Sequence, residues 1–301
     1  MNSAVKSRKN RIVSRGTRIF SMINTIILIT LGLLCLLPFW YEVCVSFSSN
    51  RAVIANEVLL WPKEFAMESY RYVMERAPFW HSMWVTVLRV ILSLPISLFL
   101  MVTAAYPLSK EKARFKSRTL YVWYFFITML FNGGMIPQYL LIVQMGLLNN
   151  IMSLVLPGAF NVFNMLLVLS FFRNISASLD DAARIDGAGQ WRTLFQIYVP
   201  ISLPVLATVT LFTLVGNWNS WFDGMIYMKS NNAPLQTYLR TVVFNYDFGK
   251  LTMEEQQRLA KMSPEGVKAA QMVIGAIPIL AIYPFLQKYF ITGITLGSVK
   301  E

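Results

Sequence analysis

The sequence predicts an all-α, polytopic membrane protein with six transmembrane helices and both termini in the cytoplasm, and three observations carry that prediction. Of 301 residues, 55% are hydrophobic and 14% charged, whereas about a quarter of the residues of a soluble domain are charged. Apolar runs of about 20 residues, the length that crosses about 30 Å of hydrocarbon, recur along the chain. Lysine and arginine gather at alternate ends of those runs, as they do where one side of a membrane retains cations. The net charge of +12 therefore follows the membrane, and no aromatic-lined basic groove suggests nucleic acid.

Taken in order, residues 1–18 form a basic cytoplasmic N-terminus with Lys6, Arg8, Lys9, Arg11, Arg15 and Arg18 and no acid. The first transmembrane helix is expected over 19–47. Its apolar run is too long for a signal-peptide core and no small-residue cleavage site follows it, so it is expected to remain in place. Cys35 and Cys44 lie in that run without His, Asp or a second Cys pair beside them and read as apolar fill. Residues 48–79 are an external loop in which Arg51, Lys63, Arg71 and Arg76 are balanced by Glu57, Glu64, Glu68 and Glu75. His81, between Trp80 and Trp84, reads as an anchor at the membrane boundary.

A core of residues 80–290 supplies the other spans, near 81–107, 118–145, 151–172, 199–222 and 269–290. Asn132-Gly133-Gly134 and Pro137 should break the third of the six, leaving Gln138 to Leu148 near the outer face. Between the second and third spans stand Lys110, Lys112, Arg114, Lys116 and Arg118 against Glu111 alone, whereas Gly146 to Asn150 carry no charge. The basic ends are thus cytoplasmic. The 223–268 segment falls outside, with Tyr238 to Phe244 as an ordered part and Met253 to Ala270 as a polar helix, large enough to touch a soluble partner. Residues 291–301 form a cytoplasmic tail.

Between two apolar runs lies a polar stretch, Ser178 to Pro204. Ser178 with Asp181 has the form of a capping box, placing Asp180 and Asp181 in a first helical turn. Gly187 should close that helix, and a second helical stretch from Gln190 should stop before Pro200. Asp181-Ala182-Ala183, then Gly187, Ile197 and Pro200, resembles the EAA loop of ATP-binding-cassette (ABC) importer membrane subunits. The fuller pattern, Ala182 to Gly187 with Phe195, Pro200 and Pro204, is similar to the carbohydrate-uptake branch, although Asp181 stands where that family usually has Glu.

The resemblance implies a type I ABC importer permease-like core whose cytoplasmic coupling loop, 174–198, meets the ATPase through Asp181, Ala182, Ala183, Asp186, Gly187 and Ala188. It also implies a multi-pass protein of the bacterial cell membrane, surrounded by lipid. Its partners would be a second transmembrane permease subunit, an ABC ATPase homodimer, an extracytoplasmic solute-binding protein and an oligosaccharide substrate. Gly133-Gly134 with Pro137 and the short tail resemble permeases for complex oligosaccharides, including uronate-containing ones.

The sequence has no glycine-rich phosphate loop ending in Lys-Ser or Lys-Thr, so ATP and Mg belong to a partner ATPase and this chain is expected to bind no cofactor. No Ser/His/Asp set, HExxH or paired carboxylates within a span suggest an enzyme. The apolar pattern alone equally permits a multispan channel or receptor, and a permease for a non-sugar solute also fits.

Candidates for a solute pathway are Arg89, Asn132, Asn217, Trp218, Asn219 and Trp221. Those from 217 onward fall at the outer end of the fifth span with Asp223, where indole faces and amides suit a sugar. Arg89, about 12 Å below the outer end of the second span at 1.5 Å per residue, requires a wet cavity, an acid or a path for snorkelling. A structural pair with Glu42 or a snorkelled contact to a partner subunit is one reading. A cavity-facing guanidinium that binds a uronate carboxylate is the other.

Overall fold

A computed structural model describes residues 15–244 and 263–298, and all regular structure among them is helical. Residues 1–14, 245–262 and 299–301, which include the basic start of the chain and most of the polar helix expected from Met253, lie outside the described residues. Three helices are long and apolar enough to cross a membrane without interruption: α1 (Arg15–Ser46), α4 (Ala77–Ser109) and the last, α15 (Pro264–Ser298). Three further pairs of helices pass the same test but are bent between their halves, which makes six crossings when each pair counts as one.

Helix α1 is apolar all round, and Ile19 to Tyr41 stand exposed along its length. Only its end is packed, where Cys44 and Val45 meet Ala269 of α15 and Ala52 of α2 (Asn50–Ile54). The exposed length suits lipid rather than water. After α3 (Glu68–Glu75), α4 opens with a proline in its first turn, where the missing N–H costs nothing.

The third span divides as its sequence predicts, into α5 (Arg118–Leu130) and α6 (Met135–Gln144), which meet at 107°. Gly134 makes the corner with φ 89°, a conformation open to glycine without penalty.

The 151–172 run is not one helix. Pro157-Gly158 separates a single turn, α7 (Met152–Val155), from α8 (Val162–Arg173), whose first turn is capped by the Asn161 side chain accepting from Asn164 N at 3.0 Å. Helix α9 (Ala177–Ile185) then turns 75° away from α8.

Beyond α10 (Gln190–Thr193) the chain does not stop before Pro200 as expected. Leu194–Tyr198 form a π turn and helix continues through Pro200 in α11 (Val199–Ile201) before an 83° bend into α12 (Leu203–Asn219). The widened turn relieves the clash of the proline ring with the preceding turn, so the bend falls at Ser202. Within the expected external segment the described residues form α13 (Phe222–Tyr227) and α14 (Leu235–Phe244). The last span begins five residues earlier than expected, at Pro264, and continues past 290 to Ser298, because Gly293 and Gly297 weaken a helix without ending it.

Two larger cores among the described residues hold most of these elements. Met101, Ala105, Tyr106, Met165, Val168, Phe172, Leu194, Tyr198 and Val209 join α4, α8, the π turn and α12. Val73, Phe79, Met83, Trp218, Leu235 and Val267 join α3, α4, α12, α14 and α15. Helix α4 belongs to both, and each candidate site leans on one of its ends.

Candidate functional site

Where the broken spans fail to close, α4, the α5–α6 corner, the α7–α8 link, α12 and α13 surround a cavity of about 550 Å³. Its one cation among the described residues is Arg89, only 4% exposed. Nε donates to Asn217 Oδ1 at 3.0 Å, Nη1 to Asp223 Oδ1 at 3.2 Å and Nη2 to Asp223 Oδ2. Asp223 also accepts from Ser220 Oγ and its neighbour Gly224 N, each at 2.8 Å. Asn217 accepts from Ser93 Oγ at 3.2 Å and donates to Thr213 O at 2.8 Å. The guanidinium fork is filled by a carboxylate of the same chain, which compensates its burial.

Neither Glu42 nor a snorkelled path serves Arg89. Glu42 lines a separate cleft beside Asn56 and Glu265, and the Arg89 guanidinium is held in the cavity wall by Asn217 and Asp223. The partner is Asp223 because α12 ends at Asn219 and the Ser220-Trp221 turn brings the start of α13 back over the cavity.

Of the residues proposed from sequence, Arg89, Asn132 and Asn217 line the cavity, whereas Trp218, Asn219 and Trp221 do not. Successive helical residues turn about 100° apart, so Asn217 facing inward sends Trp218 into the core with Phe79 and leaves Asn219 exposed. Trp221 lies under the Arg240 guanidinium, 3.7 Å from the ring centre. Asn132 accepts from Gly134 N at 2.8 Å and so also braces the corner. Sequence reasoning missed Gln138, Ser153, Asn161, Asn164, Thr213 and Tyr227 in the lining. A signal was present: Thr213, Gly216, Asn217 and Ser220 recur at three- and four-residue spacing inside an apolar helix.

The second surface is α9. Its cap is Ser176, whose Oγ accepts from Ser178 N at 3.3 Å, and not the capping box expected at Ser178. Asp181 is therefore free of capping and turns to Arg114. Asp180, 5% exposed, receives Lys110 Nζ at 2.7 Å on both oxygens and Arg114 Nη1 at 2.7 Å. The Lys110 ammonium also lies 3.8 Å from the Tyr106 ring centre and 4.1 Å from that of Tyr198. Burial pulls the Lys110 pKa below its ordinary range, opposed by the Asp180 hydrogen bonds, and the hydrogen bond to Asp181 pushes Arg114 upward.

Helix α9 closes as the sequence predicts. Gly187 has φ 73°, Gly187 N donates to Arg184 O at 3.0 Å, and Ala188 N reaches back to Ala183 O at 2.8 Å. Ala183 is buried against the body of the protein. Asp181, Ala182, Asp186 and Gly187 are exposed, and Ala188 is partly so. Ile185, 87% exposed, and the stacked pair Trp191 and Phe195 extend this face. Helix α9 is thus short, braced from behind by ion pairs, and presents small and apolar residues outward.

Residues 74–295 match the protein family described as "Binding-protein-dependent transport system inner membrane component". The chain is 36% identical over 288 residues to Protein LplC of Bacillus subtilis (strain 168), covering 95% of this chain and 97% of that one. It is 35% identical over 284 residues to the Polygalacturonan/rhamnogalacturonan transport system permease protein YtcP of the same organism, covering 94% and 99%. Its fold is similar, with a TM-score of 0.85 and 35% identity over 92% of this chain and 98% of the other, to one in a crystal structure of a bacterial ABC transporter involved in the import of the acidic polysaccharide alginate.

Proposed function

The chain belongs to the family of binding-protein-dependent transport system inner membrane components, and from that premise we propose that it is the permease subunit of an ATP-driven ABC importer of oligosaccharides in a bacterial plasma membrane. The observation that carries this reading is the pairing of two sites on one helix. Helix α4 holds the exposed α9 through Lys110 at one end, and toward the other it places Arg89 in an amide-rich cavity. At 1.5 Å per residue the two positions are about 32 Å apart along the helix.

In this reading α9 and the basic 110–118 segment face the cytoplasm, as do both termini, and an ATPase homodimer docks on Ala182, Ile185, Asp186 and Gly187. Hydrolysis of ATP with Mg takes place on that partner. A second permease subunit completes the pathway, and an extracytoplasmic binding protein delivers the sugar at the end bearing α13 and α14. Asparagine, glutamine and serine side chains offer the paired donors and acceptors that sugar hydroxyls require, with Phe222 and Tyr227 as apolar faces.

Purification of the tagged chain from its native membrane tests the assembly. The expected result is co-elution of an ATPase and a second multispan subunit, with the ATPase lost from a variant carrying Ala182→Trp on the exposed face of α9. Elution of the chain alone, with the membrane fraction retaining no bound ATPase, would contradict it.

A further inference from the structure

At the foot of α5, behind the turn that holds Asp180, a cleft of about 380 Å³ is lined by Arg118, Thr119, Val122, Trp123, Phe126 and Arg173. Both arginines are drawn there by the closing turn of α4: Arg118 Nη1 donates to Lys110 O, and Arg173 Nη2 to Leu108 O at 3.4 Å. The carbonyl end of a helix attracts cations. That accounts for one donor of each guanidinium, and each carries five.

The other donors meet no carboxylate among the described residues. The acids of α9, Asp180 and Asp181, are taken by Lys110 and Arg114, and Glu111, in the same turn as Lys110, forms no ion pair with either arginine among the described residues. Two like charges in one cleft without a counter-charge favour an anion there. Apart from the Thr119 hydroxyl the remaining walls are apolar, and they continue up α5, none of whose residues is buried and where Leu120, Trp123, Tyr124 and Ile127 are exposed. A soluble anion would use only the two guanidiniums, whereas an anion carried on acyl chains would use the guanidiniums and the apolar face together. Arginine pairs recognise phosphate, tryptophan collects at the membrane boundary, and basic pockets between transmembrane helices hold anionic headgroups.

We infer that Arg118 and Arg173 form a headgroup site for an anionic phospholipid, with its phosphate between the guanidiniums and its acyl chains along α5. The site is separate from the cavity and from the docking face of α9. It is nevertheless joined to the latter, since the same residue, Lys110, holds Arg118 through its carbonyl and Asp180 through its ammonium. Occupancy would steady that turn, and activity should respond to anionic lipid.

The test is native mass spectrometry of the full chain, in its purified complex, after exchange into nanodiscs of phosphatidylcholine with and without phosphatidylglycerol. Wild type is expected to retain phosphatidylglycerol through delipidation. Arg118→Gln/Arg173→Gln should weaken that retention about tenfold or more, the effect of losing charge-assisted phosphate contacts. Lys116→Gln, an exposed cation in the same loop, should leave it unchanged. Glycerol phosphate or inorganic phosphate should not displace the lipid; displacement by either would assign the site to a soluble anion and overturn the proposal. Retention equal in wild type and the double variant, or an equal loss in Lys116→Gln, would overturn it too. If the double variant fails to assemble, Trp123→Ala carries the test: it leaves both charges in place and should still loosen the lipid, and unchanged retention would count against the site.

Discussion

Arg89 and Asp223 stand 134 positions apart in the chain and form a bidentate pair at the wall of the cavity. An arginine at the centre of a membrane helix costs about 2.5 to 3.5 kcal/mol on insertion scales, and removing one member of a buried pair costs about 3 to 5 kcal/mol because the other charge is stranded. Asp223→Asn should therefore lower thermal stability markedly, and Arg89→Gln/Asp223→Asn should recover most of the loss. The single variant also leaves an open guanidinium fork facing the solute. Uptake by Asp223→Asn should shift toward oligogalacturonates over their methyl esters of equal length, and Arg89→Gln should reverse that shift. Unchanged melting and unchanged preference would show that the pair is neither buried in function nor part of the pathway. Next to it, Gly224 sits where α13 crosses α14 so closely that a Cβ would run into Thr237 Oγ1 and the Pro234 ring. Gly224→Ala should cost about 1 to 3 kcal/mol through overpacking, read as a lowered melting temperature.

Helix α9 is short and polar, and its form depends on its neighbours. Gly187→Val puts a β-branched residue at φ 73°, a conformation such residues rarely adopt. ATP hydrolysis should continue in the assembled complex while uptake per ATP falls about tenfold, a loss of roughly 1.4 kcal/mol of coupling. Normal uptake by that variant would remove the helix from the coupling path. Lys110→Met should weaken coupling in the same direction by removing one of the two cations that hold Asp180, and Lys110→Arg should retain part of it. The turn at Gly187 was legible because Asp-Gly-Ala-Gly states its own geometry. The cap was not: Ser176 and Ser178 are chemically alike, and the choice between them follows from Asp180 and Asp181 being taken by Lys110 and Arg114, which lie 66 to 70 positions away. Likewise Pro200 announces a stop, but the π turn before it, packed through Leu194 and Tyr198 into the core, allows the helix to pass.

At the scale of the molecule, composition and the spacing of apolar runs were enough to expect six crossings, because lipid leaves a chain few ways to satisfy its backbone. Which crossings are broken was only partly legible. The Gly133-Gly134 corner is written locally, whereas the interruption at Pro157-Gly158 was masked by apolar residues on both sides. The cavity was least legible, since its lining is gathered from five separate segments and only the Thr213 to Ser220 face carried a periodic signal. The central claim is that this chain couples ATP hydrolysis to sugar movement. Its most direct test is uptake of labelled oligosaccharide by proteoliposomes containing the purified complex, with the binding protein added outside and ATP enclosed inside. Accumulation that requires both the binding protein and ATP, and that falls in Gly187→Val while hydrolysis persists, is the predicted result. Solute entry at equal rate without ATP would contradict it and mark the chain as a passive channel.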